Sequence, residues 1–324
     1  GLREIGNSNI MVSDRGTSVS NHRKNGIYDI FDKYRINMLE ANYDKFAHYG
    51  KNDLNWHKVP NPVVWKNIPT YRPIGDPDNF FINMPKLKCH NLGLTTLAIK
   101  NLQGAVPSGY GHYCDRWDAI PFLANGYGIN YKRDFVPDYQ EKVEAAFLKH
   151  RAAGFKHWDK EGSYPKYEAK GGWEAFKKVR NDVKAKNEFM KDLPALMWDE
   201  QWTQRALDSA AAIKPAINIT EGVIGRDGSG FDLGKDELCN IILVSLSMTE
   251  IDAVGSWIMG HDPKELPYTR VAKERGLGEC DPEKIELYWI RDGQISKANV
   301  SELKRYKLGV NLHTWGETGE RLFW

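Results

Sequence analysis

The chain has 324 residues, of which 41% are hydrophobic and 27% are charged, so it is long enough to bury a substantial core and is typical of a soluble, globular protein. Its 45 basic and 43 acidic residues leave a formal net charge of +2, which gives no electrostatic footprint for nucleic acid. The longest apolar run, around Ile241 to Leu246, is far shorter than a membrane span. We therefore expect neither a nucleic-acid partner nor a transmembrane segment.

The four cysteines are widely separated, and no Cys-x-x-Cys motif occurs. Cys89, Cys114, Cys239 and Cys280 therefore lack the usual spacing for an iron–sulfur cluster or c-type haem, and neither is expected. Their even number allows two disulfides in three possible pairings, or four reduced thiols. The eleven tryptophans and fifteen tyrosines are a mild indication of an extracytoplasmic (periplasmic or secreted) setting, which is the location we expect.

The beginning of the chain predicts one βαβ unit. Residues 9–14 form an expected strand, Ile27, Ile30 and Phe31 have a helical spacing, and residues 36–39 form a second strand. A unit of this kind implies a parallel sheet. Because the chain starts directly at its first strand, we expect that an N-terminal portion of the domain is missing.

The stretch from Asn79 to Gly104 is the centre of the sequence-based prediction. Phe80–Ile82 is short and apolar, as in a buried strand, and the polar residues 86–91 are expected to form a loop. Apolar residues then recur at helical spacing over residues 94–102, and Gly104 is placed as the residue just past the helix. In open α/β sheets, ligands bind where strands end in such loops.

Two regions are predicted to be irregular or inserted. Residues 50–78 contain five prolines and two tryptophans, which predicts an aromatic-anchored loop region. Residues 107–137 are rich in glycine and aromatic residues, whereas residues 139–212 are charged and helical in pattern. We interpret residues 108–212 as an aromatic-loop and helical insertion over the sheet.

An α/β pattern resumes after the insertion. Residues 216–219 are predicted as a strand, residues 221–234 as a glycine-rich turn and residues 238–246 as a fully buried strand. Thr249 is expected to cap the next helix, with Asp252 three residues on as in a capping box. A further helix over 263–275 and a strand over 285–290 follow.

The predicted fold class is α/β. We expect a mainly parallel, Rossmann-like sheet with helices on both faces. Residues 1–107 form its first part, the insertion spans 108–212, and residues 213–324 complete the same sheet.

Several of these stretches resemble domain-of-unknown-function family 362. The resemblance covers about half of the chain and rests on INMPKLKCHNLGLTTLAIKNLQG (82–104), EGVIGRDGSGFDLG (221–234), TEIDAVGSWIMGHDP (249–263) and ERGLGECDP (274–282). It implies an α/β fold but no assigned reaction. Many relatives carry iron–sulfur cysteine motifs or export signals, but this chain lacks such a cysteine motif.

The basic residues of the central stretch are the main candidates for chemistry. A histidine can transfer protons near neutral pH, and a lysine in a cleft can bind an anion or act as a base. The alternative is that the lysines extend into solvent and that His90 caps the next helix. The predicted catalytic residues are Lys88, His90 and Lys100. The predicted substrate-binding residues are Lys86, Thr96, Asn101, Arg226, Gly228 and Gly230.

Metal binding is a further possibility left open by the sequence. The candidate ligands are His90, Asp252 and Glu221. Asp252 could equally be a helix-capping residue. His112, Cys114 and Asp115 also have ligand-type side chains, but such close spacing rarely lets all three face one metal.

Two functional hypotheses follow. In the first, the protein is an enzyme that binds a small anionic substrate or a metal-linked cofactor at a Lys/His cleft. In the second, it is an exported binding or assembly protein whose aromatic loops contact a protein partner or a second copy. A buried pocket around His90, where residues 86–91 meet the glycine-rich turn, would favour the first hypothesis, and a flat aromatic surface with the lysines in solvent would favour the second.

Overall fold

The structure is a computed structural model that describes residues 2, 4–7, 9–14, 23–40, 54–90, 93–107, 110, 131–155, 169–190, 198–228, 234–309, 311–313 and 320–322. It confirms the α/β class. The strands are β1 Met11–Asp14, β2 Asn37–Glu40, β3 Leu54–Lys58, β4 Asn67–Tyr71, β5 Ile82–Asn83, β6 Lys86–His90, β7 Leu94–Thr96, β8 Ile217–Arg226, β9 Asp236–Ser245, β10 Leu287–Arg291, β11 Gln294–Ala298, β12 Asn311–His313 and β13 Glu320–Leu322.

The α-helices are α1 Ile27–Tyr34, α2 Ala98–Asn101, α3 Tyr131–Asp134, α4 Tyr139–Ala152, α5 Gly172–Val179, α6 Val183–Met190, α7 Trp198–Ala212, α8 Met248–Ile258 and α9 Pro267–Glu274. The helical character predicted for residues 139–212 is present in α4 to α7. Within the part of the chain that the structure describes, no helix combines the length and apolarity that a membrane crossing requires.

The N-terminal βαβ prediction is confirmed, because β1 and β2 pair in parallel on either side of α1. The prediction of an irregular loop over residues 50–78 is wrong in part. β3 and β4 form an antiparallel hairpin in which Pro69 lies opposite Trp56. A two-stranded hairpin tolerates this proline because each strand has an outer edge where no N–H is needed.

The central sheet is organised around the long strand β8. β5 and β6 pair in parallel with successive parts of one edge of β8, and β9 pairs antiparallel with its other edge. β7 then pairs antiparallel with β6. The sheet is therefore mixed, and it combines strands that precede and follow the helical segment.

Strand alternation gives this sheet two distinct faces. We call the face that carries Leu87, Cys89 and Cys239 the inner face, because α8 packs against β8 and β9 there. We call the opposite face the outer face. It carries Lys86, Lys88, Arg226, Asp236, Leu238, Ile242 and Val244.

The central stretch differs from its prediction. Residues 86–90 form strand β6 rather than a loop, and residues 94–96 form strand β7, so the helix begins only at Ala98. The reason is a period of two: buried Leu87 and Cys89 alternate with the more exposed Lys86, Lys88 and His90. Gly104 lies inside a short 3₁₀-helix, Leu102–Ala105.

Two predictions of buried strands also need correction. Phe80 is 71% exposed, and β5 begins only at Ile82. β9 is not fully buried, because its outer-face residues Leu238 and Ile242 are both 60% exposed. An apolar run of this length fits a strand covered on one side as well as a fully buried one, since composition does not show what packs on each side.

Candidate functional site

The two segments that the sequence singles out are neighbours in the sheet. β6 pairs with β8 so that Lys86 lies beside Glu221 and Lys88 beside Arg226. Lys86 Nζ donates to Glu221 Oε2 at 2.7 Å, and Cys89 Sγ lies 3.7 Å from Asp227 Oδ1. Both strands run in the same direction, so their carboxyl ends meet at one edge of the sheet.

A cavity of about 330 Å³ lies at this edge, beside Asp227. Four of its lining side chains are cationic and two are carboxylates. The lining residues are Asp227, Lys235, Glu237, Lys304, Arg305, Tyr306, Lys307 and Leu308. A concave site with an excess of positive charge at the carboxyl ends of parallel strands is suited to a small anion.

The wall formed by residues 304–309 is held in place by backbone hydrogen bonds. Tyr306 N donates to Ile258 O at 2.7 Å, and Leu308 N donates to Met259 O at 3.0 Å, so the segment is docked on the end of α8. Asp227 Oδ1 accepts from Gly228 N at 2.7 Å and from Gly309 N at 2.5 Å. The carboxylate of Asp227 therefore joins the end of β8 to this wall.

Arg305 is fixed before any ligand arrives. Its Nε donates to Trp257 O at 3.1 Å, and its Nη2 donates to His261 O at 3.2 Å. The guanidinium also stacks over the Trp257 ring at 4.0 Å from the centroid. Because five N–H donors are present on the group, donors remain for a ligand while the side chain stays positioned.

Cys89 and His261 each contact a lining residue of the cavity, Asp227 and Leu308 respectively, but they are not an acid–base pair. Both are buried, and both lie within 3.3 Å of the point that a Cβ on Gly309 would occupy. His261 Nε2 donates to Leu308 O at 2.8 Å, and burial lowers the pKa of His261 to about 4. Burial also raises the pKa of the Cys89 thiol well above its ordinary value. Both side chains are therefore neutral near pH 7.

The predicted catalytic residues Lys88 and His90 do not line this cavity. Strand alternation places them on the outer face, opposite Cys89. Lys88 Nζ donates to the carbonyl oxygen of Cys89 at 3.3 Å, and His90 Nδ1 accepts from Gly93 N at 3.2 Å. His90 was alternatively expected to cap the next helix; its ring instead binds the backbone N–H of Gly93, just before β7.

Lys100 and Asn101 lie near the other end of β8. Asn101 Nδ2 donates to Asn83 Oδ1 at 2.7 Å, and Asn83 in turn binds Asn218 at 2.9 Å. Lys100 Nζ donates to Gln103 Oε1 at 2.8 Å. Thr96, four residues before Lys100, is paired with Lys88 in the sheet, and neither lysine lines the cavity beside Asp227.

The remaining predicted substrate-binding residues have structural contacts. Thr96 Oγ1 donates to Lys88 O at 3.3 Å, and Arg226 Nη1 pairs with Asp236 Oδ1 at 3.0 Å on the outer face. Gly228 adopts a φ of 89° beside the cavity, where its N–H is taken by Asp227. Gly230 lies outside the described residues, as do His112, Cys114 and Asp115.

Asp252 caps a different helix from the one expected. Its two carboxylate oxygens accept from Ala98 N at 2.6 Å and from Ile99 N at 3.0 Å, which are the first amides of α2. The cap of its own helix is Ser247. Burial raises the pKa of Asp252 to about 8, although the two amide hydrogen bonds favour the charged form.

The metal candidates are not assembled into one site. Glu221 binds Lys86 on the outer face, Asp252 binds α2, and His90 accepts from Gly93. In the described ranges of the chain, no group of three His, Cys, Asp or Glu residues is arranged to hold a metal ion. Cys89, Cys239 and Cys280 are free thiols, and Cys114 lies outside those ranges.

Sequence reasoning missed most of the cavity lining. The tail of the chain shows no helical or strand period, so Lys304, Arg305 and Lys307 were not considered as site residues. The only signal is the run of basic and aromatic residues from Lys304 to Lys307. Nothing local in the sequence brings that run to the end of β8; hydrogen bonds to the end of α8 do so.

The fold and the cavity define an α/β protein with a cationic cavity between the end of β8, the start of β9 and residues 304–308. The chain belongs to the family described as Domain of unknown function (DUF362), whose model matches residues 1–257. This confirms the resemblance carried by the central stretch and the glycine-rich turn. No curated protein and no solved structure gives a significant match to the chain.

Proposed function

We propose that this protein is an enzyme and that its substrate is a small anionic molecule bound in the cavity beside Asp227. The observation that carries the proposal is the excess of cationic over anionic side chains around a 330 Å³ concavity at the carboxyl end of β8. The neutral state of Cys89 supports the proposal, because a thiolate next to Asp227 would add negative charge near the cavity. His261 is also neutral and does not change the charge balance.

The cationic side chains differ in how they are held. Arg305 is anchored to the end of α8, as described above, and Lys304 Nζ lies 4.5 Å from the centroid of the Tyr306 ring. The other two, Lys235 and Lys307, are the side chains that we expect to close on the ligand. Hydrogen bonds to charged groups contribute about 1.5–3 kcal/mol, so loss of one lysine should weaken binding by at least tenfold.

Calorimetric titration with inorganic phosphate and with succinate tests the binding step. We expect Lys235→Ala and Lys307→Ala each to weaken binding of the preferred anion. Lys297→Ala is the matched control, because that side chain is 74% exposed on the β10–β11 hairpin and pairs only loosely with Glu286, at 3.7 Å. Equal affinities in wild type and in the Lys235→Ala, Lys307→Ala double variant would exclude the cavity as the site.

Native mass spectrometry of the purified protein tests whether a ligand is a substrate. We expect a small anion to be retained by the wild type and lost from the double variant. Conversion of that anion by the wild type alone would support the enzyme proposal, whereas binding without conversion would leave only a binding protein. Lys88→Ala and His90→Ala belong in the same series as a test of their predicted catalytic roles. Neither side chain lines the cavity, and conversion that continues in both variants would contradict those roles.

The outer face favours a second function, that of a binding or assembly protein. Leu238, Ile242 and Val244 are 60%, 60% and 54% exposed, and they follow one another along the same side of β9. Contiguous exposed apolar side chains are typical of protein-contact surfaces. Light scattering with size-exclusion chromatography tests self-association; the same molar mass for wild type and Ile242→Asp, at the monomer value, would contradict it.

An extracytoplasmic location is a further proposal. It rests on the aromatic composition and on the exported relatives that the family resemblance implies. Fractionation of the source cells, with detection of the protein in the cytosolic fraction alone, would contradict it.

A further inference from the structure

A cluster of charged side chains, among which His150 and Glu200 are buried, joins three helices on the side of the molecule formed by α4, α7 and α9. His150 Nδ1 binds Glu200 Oε2 at 2.8 Å, and His150 Nε2 lies 3.3 Å from Glu274 Oε2. Lys149 also pairs with Glu274, and Gln204 Nε2 donates to Glu200 Oε1 at 2.8 Å. None of these residues lines the cavity beside Asp227.

Arg270 differs from the other charged residues of this cluster in its hydrogen bonding. It is 6% exposed, and its guanidinium carbon lies 3.2 Å from the centroid of the Phe155 ring. Among the residues that the structure describes, none accepts a hydrogen bond from its Nε, Nη1 or Nη2 atom. A buried charged donor without an acceptor is costly, and native proteins supply the missing acceptor from protein, water or ligand.

The surrounding charges restrict what the acceptor can be. The carboxylates of Asp199, Glu200 and Glu274 act on the charge of Arg270, and burial lowers the pKa of Arg270 against their influence. A phosphate dianion would be repelled by these carboxylates at short range. A molecule that carries a carboxylate at one end and an ammonium group at the other is attracted by both sets of charges.

We propose that Arg270 and the carboxylates of Glu200 and Glu274 form a binding site for a small zwitterion of the α-amino acid class. The carboxylate of the ligand receives the guanidinium N–H donors, in the paired geometry that arginine and carboxylates favour. Its ammonium group lies toward Glu200 and Glu274, whose oxygens can each accept more than one hydrogen bond. Phe155 covers one side of the guanidinium. The site is separate from the cavity beside Asp227 and does not depend on its function.

Saturation-transfer NMR with L-alanine, propionate and ethylamine tests the proposal, because propionate is alanine without its ammonium group and ethylamine is alanine without its carboxylate. We expect alanine to bind at least tenfold more tightly than either of the others, and Arg270→Gln to abolish that preference. Arg72→Gln is the matched control, because that side chain is 54% exposed and pairs only loosely with Asp76 at 3.9 Å.

Each outcome decides the proposal. Absence of an alanine signal, equal binding of the three probes, or an alanine preference that survives Arg270→Gln would overturn it and leave ordered water as the acceptor. If circular dichroism shows that Arg270→Gln is unfolded, Glu274→Gln replaces it, since Glu274 is 31% exposed and tolerates change more easily. That variant should weaken alanine binding and leave propionate binding unchanged; equal effects on both would reject the site.

Discussion

The two faces of the β8–β9 pair are built from the same strands but have opposite surroundings. On the inner face, a Cβ added at Gly225 would lie 3.0 Å from Cys239 Sγ and 3.1 Å from Leu308 Cδ1, so no space is left. On the outer face, Ile242 is 60% exposed. Because α8 packs only against the inner face, we expect stability to depend on inner-face residues, while outer-face residues are free to serve contacts with other molecules.

The largest effect that this comparison predicts comes from the buried carboxyl group of Asp252 on α8. Its pKa is about 8 in the folded protein and about 3.9 in the unfolded chain. Between these values the folded protein keeps a proton that the unfolded chain has released. The free energy of unfolding should therefore fall as the pH rises from about 4 to about 8, by at most about 1.4 kcal/mol per pH unit.

Urea denaturation at several pH values between about 5 and 8 measures this slope. Asp252→Asn should remove the contribution, since an amide does not titrate in this range. Asp236→Asn is the outer-face control, because that side chain is 65% exposed, and it should leave the slope as in the wild type. A slope that is the same in Asp252→Asn and wild type would show that the buried carboxyl group is not protonated when folded.

The next effect compares two apolar residues, one on each face. Leu87 is fully buried and contacts α8 near Gly255, so Leu87→Ala should destabilise the protein by about 2–5 kcal/mol. Ile242→Ala should change stability by no more than about 0.5 kcal/mol, since its side chain is mostly in water already. Urea denaturation of both variants provides the measurement, and equal losses would mean that the outer face is covered in solution.

The fold class and most of the helices could be predicted from the sequence, because they follow from local periodicity. The prediction of a loop over residues 86–90 was wrong, because the polar composition of this segment favours a loop while the alternation of Leu87 and Cys89 with Lys86 and Lys88 spans only five residues. The burial of β9 was overestimated for another reason. Composition gives the apolar character of a strand, but the number of covered faces depends on helices that are distant in sequence.

The candidate site was predictable only in part. The sequence predicted that residues 86–91 and the segment after Ile219 lie together, but as a loop and a turn rather than as the paired strands β6 and β8. The absence of Lys88 and His90 from the cavity lining was not predicted, because a strand that turns their side chains to the outer face lies where a loop was expected. The contribution of Lys304 and Arg305 depends on hydrogen bonds between the tail and α8, which leave no periodic trace in the sequence.

A third effect concerns two glycines that share a left-handed backbone conformation. Gly309 and Gly276 have φ values of 78° and 71°, so alanine should incur a similar backbone cost at both. A Cβ at Gly309 would lie 2.9 Å from Cys89 Sγ, whereas one at Gly276 would have no neighbour within 4 Å. We expect Gly309→Ala to cost about 1–3 kcal/mol more than Gly276→Ala. Equal melting temperatures would show that the cavity wall adjusts freely.

The smallest effect belongs to the outer face, where Lys86 and Glu221 form an ion pair with a 2.7 Å Nζ–Oε2 distance. Their side chains are 44% and 41% exposed, so a double-mutant cycle with Lys86→Ala and Glu221→Ala should give a coupling below about 1 kcal/mol. Burial alone would raise the pKa of Glu221, but the hydrogen bond and charge of Lys86, together with hydrogen bonds from the Ile224 and Val223 amides, outweigh it and lower the pKa. The coupling should therefore be lost as the pH falls through that pKa, and it should shrink at high salt. A coupling that is large and insensitive to salt would place this pair in a dry environment. If Ile242→Ala also lowered the free energy of unfolding strongly, the two results together would mean that the outer face is part of the core.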